Sequence, residues 1–211
     1  MSGFAGKLRE EFAARGAGVV ISTPLRIVRA LGRTRQVWFY TQPVPTSGKT
    51  SKIEELTAAD WPRLMAEESF PWRHDTGASG RLHEGARLFA WREAAQLVSF
   101  GWVTHGPSLL IGELGGRVEF DQPVRWIWDC VTPAAHRGRG FYPQLLAGLV
   151  ALAGDTRPVI YCTRENSSSQ RGIEKAGFVR SFTITEHFLK ATHRPGPMPL
   201  QYHYHRASQP A

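Results

Sequence analysis

Between residues 87 and 132 the apolar positions fall in short runs, or alternate with polar ones, over 88–91, 97–103, 109–113 and 125–132, with Gly or Pro between the runs. Such runs parted by turn residues predict consecutive strands joined as antiparallel hairpins. Upstream, Trp61, Leu64 and Met65 recur at helical spacing behind Thr57, a good N-cap, so a helix is expected over 58–68. The stretch 73–86 is polar and glycine-containing and gives no clear element. After 132 the period changes. Pro143 opens a helix whose Leu145, Leu146, Leu149, Val150 and Leu152 make one broad apolar face, and Gly154 ends it. A strand follows over 159–163, then a second helix over 166–176 with Gly177 at its left-handed stop, then a strand-rich run over 178–189. Strand, Gly-rich loop, helix, strand, helix, strand is an α/β arrangement of the α+β type, and the antiparallel strands before it make the sheet mixed.

The flanks read differently. Residues 1–50 form a basic N-terminal extension. Up to Arg35 it carries Lys7, Arg9, Arg15, Arg26, Arg29, Arg33 and Arg35 against Glu10 and Glu11. Within it Thr23-Pro24, Leu25, Val28, Leu31 and then Gly32 predict a short helix, and 37–41 a first strand. The arginine-flanked apolar stripe of that helix suits docking on the domain or peripheral contact with an anionic membrane. Residues 51–193 are expected to form the main domain, and 194–211, with Pro, His and Ser, a flexible tail.

Composition narrows the class. Hydrophobic residues make up 42% of the chain, which predicts a folded core. Lys+Arg number 26 against Asp+Glu 18, a formal charge of +8, which favours anionic partners without choosing among nucleic acid, membrane and a polyanionic cofactor. The aromatics lie in apolar strands and are not interleaved with Lys and Arg, which argues against a single-strand stacking surface. The two cysteines, Cys130 and Cys162, sit in strand-like runs, and no paired Cys/His spacing suggests a metal site. No apolar run approaches the ~20 residues of a membrane span, and no secretory signal pattern is seen, so a cytoplasmic setting is expected.

The chemistry concentrates in His136-Arg137-Gly138-Arg139-Gly140, between a strand and a helix N-terminus. Glycines let backbone N–H groups converge on one point, the helix end adds partial positive charge, and two arginines add full charge. That combination predicts a phosphate or pyrophosphate site. Neither GxxxxGK[ST] nor GxGxxG is present, which counts against the P-loop and Rossmann alternatives.

The segment WDCVTPAAHRGRGFYPQLL, followed by ENSSSQRGIEKAGF, resembles the two ordered signatures of the GNAT superfamily of acetyl-CoA-dependent N-acetyltransferases, over about 125–190. The resemblance implies a GNAT-like mixed, mostly antiparallel central sheet flanked by helices, with two neighbouring strands, 125–132 and 159–163, splayed to admit a pantetheine arm. It implies acetyl-CoA, or another acyl-CoA, as co-substrate and no metal. The arm would pair with backbone near Val131 and Thr132. The pyrophosphate would sit on Arg137, Gly138, Arg139, Gly140 and Phe141, and Asn166 would lie near the thiol end. Three departures stand out: Tyr142 replaces the last Gly/Ala of the first signature, the proline before it is one place early at Pro133, and Ile173 stands where many relatives carry a tyrosine general acid.

Transfer to an amine requires a base, because alkyl ammonium groups titrate near ~10.4. Asp129, a carboxylate expected to be buried in a strand beside the cleft, is the first candidate and Glu113 the second, while Tyr161 could replace the missing acid. The expected acceptor is an amine of a small molecule or an amino sugar, and a homodimer is left open. The competing readings are a non-catalytic acyl-CoA-binding protein of the same fold and a basic nucleic-acid-binding module.

Overall fold

The computed structural model describes residues 34–43, 52–75, 77–94, 96–152, 155–187 and 190–206. Its strands are β1 (Arg35–Thr41), β2 (Ile53–Leu56), β3 (Arg87–Glu93), β4 (Gln96–Ile111), β5 (Gly116–Val131), β6 (Pro158–Thr163), β7 (Val179–Glu186), β8 (Ala191–Pro195) and β9 (His203–Arg206). The helices are α1 (Trp61–Ala66), α2 (Gly80–His83), α3 (Phe141–Ala151) and α4 (Ser167–Lys175). The strands form one sheet in the order β2-β3-β4-β5-β6-β1-β7-β8, with β9 added to β5. Among the described strands only β5 and β6 run parallel, so the sheet is mixed and mostly antiparallel, as the sequence pattern predicts.

The helix over α3 packs the predicted face, with Leu145, Leu146, Leu149 and Val150 buried against β3, β5 and β6 residues such as Phe89, Ile127 and Ile160. The opposite face of the sheet buries Val37, Phe39, Trp126, Val159 and Phe182. An aromatic group around Phe70, Trp72, Phe100 and Trp102 closes the end of the sheet near β2 to β4. Burying a side chain of this size stabilises the fold by roughly 1.5–3 kcal/mol each.

Four expectations change. The strand expected within the 1–50 extension is not peripheral: β1 lies between β6 and β7 and buries Val37, Phe39, Tyr40 and Thr41 completely. A run with no solvent-facing alternation fits an interior strand better than an edge. The runs 97–103 and 109–113 are one strand, β4, which passes Pro107 at a register shift between Gly106 and Ser108, where no ladder N–H is required. The helix expected over 58–68 is a 3-10 turn (Ala58–Asp60) followed by α1, which stops at Ala66.

The expected tail is part of the sheet as far as Arg206. His203–Arg206 pairs antiparallel with Gly116–Glu119, Tyr202 stacks on Phe182 at 3.7 Å, and Tyr204 lies directly over Gly116, where an added Cβ would come within 2.5 Å of its ring. Strand pairing and aromatic burial order a segment whose polar composition reads as loose. The helix predicted over 24–31 lies outside the described residues. Among the described residues no helix is long and apolar enough to cross a membrane.

Candidate active site

β5 and β6 are paired only over Arg125–Pro158, Trp126–Val159 and Ile127–Ile160. Beyond that point Trp128 to Val131 and Tyr161 to Thr163 have no partner in each other, so the two strands part as the sequence resemblance implies. On its other side β5 bulges against β4: Phe100 pairs with Val131 and Trp102 with Trp128, so Asp129 and Cys130 stand opposite Gly101 alone. The bulge places Asp129 at φ 45°, a left-handed conformation that Asp tolerates better than most residues. Gly101 is required here, because a Cβ on it would come within 2.9 Å of the Cys130 Sγ.

The loop after β5 does what its glycines predict. Gly138 and Gly140 adopt φ 75° and 79°, and Gly140 is the N-cap of the 11-residue α3. A cavity of about 550 Å³ opens above it, lined by Val131, Thr132, Arg137, Gly138, Gly140 and Phe141 from the predicted set and by Asn166 across the cleft. A Cβ at Gly138 would meet nothing within 4 Å, so the backbone there faces open space. Free N–H groups at a helix N-terminus beside a guanidinium form an anion cradle. Arg137 also donates from Nε to the Thr132 carbonyl at 3.0 Å, which ties the loop to the strand end. Arg139 does not line this cavity; its guanidinium rests 4.8 Å from the Phe141 ring. Lys175, the last residue of α4, lines the cavity and was not among the expected site residues. Asn166 caps α4, accepting from the Ser169 amide at 3.1 Å.

A second cavity, of about 1100 Å³, runs through the gap between β5 and β6. It reaches Cys130, Cys162 and Tyr142 on the helix-covered side, and Tyr161, Trp128 and Glu113 toward the other. Both base candidates, Asp129 and Glu113, line it. The burial expected of Asp129 is absent: its side chain is 37% exposed, and Oδ2 accepts from Arg81 Nη1 at 2.7 Å and from the Trp72 indole at 3.1 Å. Arg81 in turn lies 5.3 Å and 5.2 Å from the Trp102 and Trp128 rings. Burial first, then the charges of Glu113 and Asp129, push the Tyr161 hydroxyl above the ordinary tyrosine range, and a hydrogen bond with Glu113 adds to this. Burial likewise pushes the Cys130 thiol up, which disfavours a thiolate.

Tyr142 occupies the junction of the two cavities. Both are lined by Cys130, Tyr142, Asn166 and Ser169. The Tyr142 ring lies against Gly172 of α4 so closely that a Cβ there would sit 2.4 Å from Cδ1, and its hydroxyl meets the Ser169 Oγ at 3.1 Å. The larger residue at 142 is thus matched by an absent side chain at 172. Neither position announces the other in the sequence, because the match exists only where α3 and α4 pack. Ile173 is fully buried in the core beside them.

The histidines of the C-terminal region are occupied in the sheet. His193 Nδ1 meets the Tyr202 hydroxyl at 2.8 Å, and His203 and His205 face Asp121 and Glu119 at 3.5 Å and 3.9 Å.

No protein-family model matches the chain, and no curated protein matches it. Solved structures do. A protein from Novosphingobium aromaticivorans assigned to the GNAT family of acetyltransferases matches with 18% identity and a TM-score of 0.48, over 84% of this chain and 67% of that one. A GNAT-family acetyltransferase from Colwellia psychrerythraea matches with 14% identity and a TM-score of 0.49, over 72% and 55%. A functionally unknown conserved protein from Staphylococcus epidermidis matches with 9% identity and a TM-score of 0.49, over 75% and 63%. The chain therefore spans between about half and two thirds of the length of these structures.

Proposed function

We propose that this chain is an acyl-CoA-dependent N-acyltransferase that moves an acetyl or related acyl group to an amine of a small molecule or amino sugar. The observation that carries the reading is the parting of β5 from β6 next to a glycine loop on the α3 N-terminus. One cavity offers backbone amides and cations, and the adjoining one passes between the strands to a wall with carboxylates. The sequence resemblance over 125–190 supports the same assignment.

In this reading the amides of Gly138, Gly140 and Phe141, with Arg137 and Lys175, hold the diphosphate of the thioester substrate. The extended arm adds to the edge of β5 near Val131, as a peptide strand would. A backbone amide on the edge of β5 that is unpaired with β6 beyond Ile127 can stabilise the oxyanion of the attacked carbonyl. The acceptor enters by the opposite mouth. Glu113 removes its proton, directly or through water, so that the neutral amine attacks. Asp129, engaged by Arg81 and Trp72, fixes the bulge and is the weaker candidate for the base.

The test joins calorimetry to a thiol-release assay. Acetyl-CoA should bind with measurable heat, and a panel of amines should release CoA thiol. Heat without thiol release for any amine would favour the non-catalytic binding reading. No heat with any acyl-CoA on folded protein removes the proposal. Salt-sensitive retention of nucleic acid in its place would point to the basic-module reading.

A further inference from the structure

We propose that the acceptor is an amine that also carries a carboxylate, an amino acid or a close relative of one, and that Arg35 pairs with that carboxylate. The inference rests on the acyltransferase reading above and narrows its acceptor. Among the described residues that line the cavity between β5 and β6, Arg35 is the only cation, while Glu113, Asp129 and Glu165 bring carboxylates. Asp129 is neutralised by Arg81 at 2.7 Å. Glu113 is hydrogen-bonded to Tyr161. The Arg35 guanidinium pairs with none of these carboxylates. Among the described residues it makes one hydrogen bond, from Nη1 to the Glu113 main-chain carbonyl at 3.4 Å. Arg35 stands two residues before Val37, on the face of β1 turned away from α3 and α4, and Tyr161 and Trp128 pack on that same side of the sheet.

That one contact holds a guanidinium and a carboxylate at the same mouth without letting them neutralise each other. Their separation is bounded by the reach of one glutamate side chain and a hydrogen bond, the scale on which a small amino acid separates its own two charges. A simple alkylammonium ion that came to Glu113 would stand beside an unpaired positive charge, and the repulsion would weaken its binding. A carboxylate on the same molecule turns that repulsion into a charge-assisted pair, and the planar fork of an arginine matches a carboxylate. Leu110, 56% exposed, and Trp128 line the same cavity and offer apolar surface to the rest of the acceptor. The wall thus suits a molecule with an ammonium, a carboxylate and an apolar side chain, of which leucine and phenylalanine are simple examples.

The test gives the full chain acetyl-CoA and acceptors in pairs that differ by the carboxylate: leucine with 3-methylbutylamine, and phenylalanine with phenethylamine. Glucosamine serves as an amino sugar without a carboxylate. CoA thiol release is followed in the unaltered chain and in Arg35→Gln. The substitution should raise KM for the two amino acids about 10- to 100-fold, the size of a lost hydrogen-bonded charge pair, and change KM for the two matched amines far less. Differences in amine basicity are the same for both proteins and cancel in this comparison. Arg35→Lys keeps the charge without the fork and should recover part of the loss, and it reads the same split if the glutamine variant folds poorly. The acetyl-CoA Kd should not move in either variant. An unchanged KM for the amino acids, an equal rise for both members of each pair, or thiol release with the amines or glucosamine alone overturns the inference and leaves the acyltransferase reading intact. Acetyl-CoA binding with no thiol release from any acceptor overturns both.

Discussion

The two ends of β5 are treated in opposite ways. Near its start, Gly116 to Glu119 is paired on both sides, by β4 and by the C-terminal β9. At its finish, Trp128 to Val131 keeps β4, through a bulge, and has lost β6. An unpaired strand edge is a liability that proteins usually cover, and β9 covers the first end with backbone hydrogen bonds. At the second end the chain leaves the edge open and builds around it. α3 and α4 roof one side, and Arg81 pins the bulged residue. The contrast teaches that the parting of β5 and β6 is held by specific side chains. An open edge beside a helix N-terminus suits an extended, anionic ligand.

The largest expected effect tests whether the open end is a binding site at all. Gly140→Trp places an indole in the phosphate-side cavity and forces a side chain onto φ 79°. Acetyl-CoA affinity should fall by at least about 100-fold, or about 2.7 kcal/mol, in calorimetry. An unchanged Kd breaks the comparison.

Next is the clamp between α3 and α4. Gly172→Ala drives a methyl into the Tyr142 ring and should cost about 1–3 kcal/mol in denaturant unfolding, as overpacking does. In the Tyr142→Ala background the same change should cost much less, because the clash is gone. Equal costs in both backgrounds would mean that the two residues are not coupled.

The bulge comes third. Asp129→Ala loses the Arg81 pair and keeps a side chain at φ 45°, while Asp129→Gly loses the pair but relieves the backbone. The glycine variant should be the more stable by about 1 kcal/mol. A more stable alanine variant would show that the left-handed turn is not maintained in solution.

The smallest effect is one of pH. Tyr142 and Tyr161 are both held protonated by burial, with their folded values raised above the ordinary 10.0. A raised value stabilises the fold fully below 10.0, and that contribution is lost as pH rises through the folded values. The melting temperature should therefore drop above pH 10.0 less steeply in Tyr161→Phe than in the unaltered chain.

On the near side of the cleft, local turns and helix bounds were legible beforehand. Gly138 and Gly140 take left-handed φ values, and α3 and α4 begin and end close to their expected bounds. The far side was not legible. Asp129 looked like a buried base because its neighbours along the strand are apolar, but Arg81, 48 residues earlier, reaches it across the sheet end. Lys175 joins the loop-side cavity only because α4 lies across from the loop.

By itself the sequence determined what depends on near neighbours: strand and helix periods, caps, and the glycines that permit a turn over an anion. These are set within a few residues by backbone sterics and local hydrogen bonds. Only the tertiary structure decided which edges stay open and which side chains meet. It inserted β1 between β6 and β7, recruited β9 to the sheet, ended the β5–β6 pairing at Ile127, and fitted Tyr142 into the space that Gly172 leaves. The physical reason is that such matches join segments far apart in the chain, so their partners are fixed by the topology of the whole sheet and by close packing.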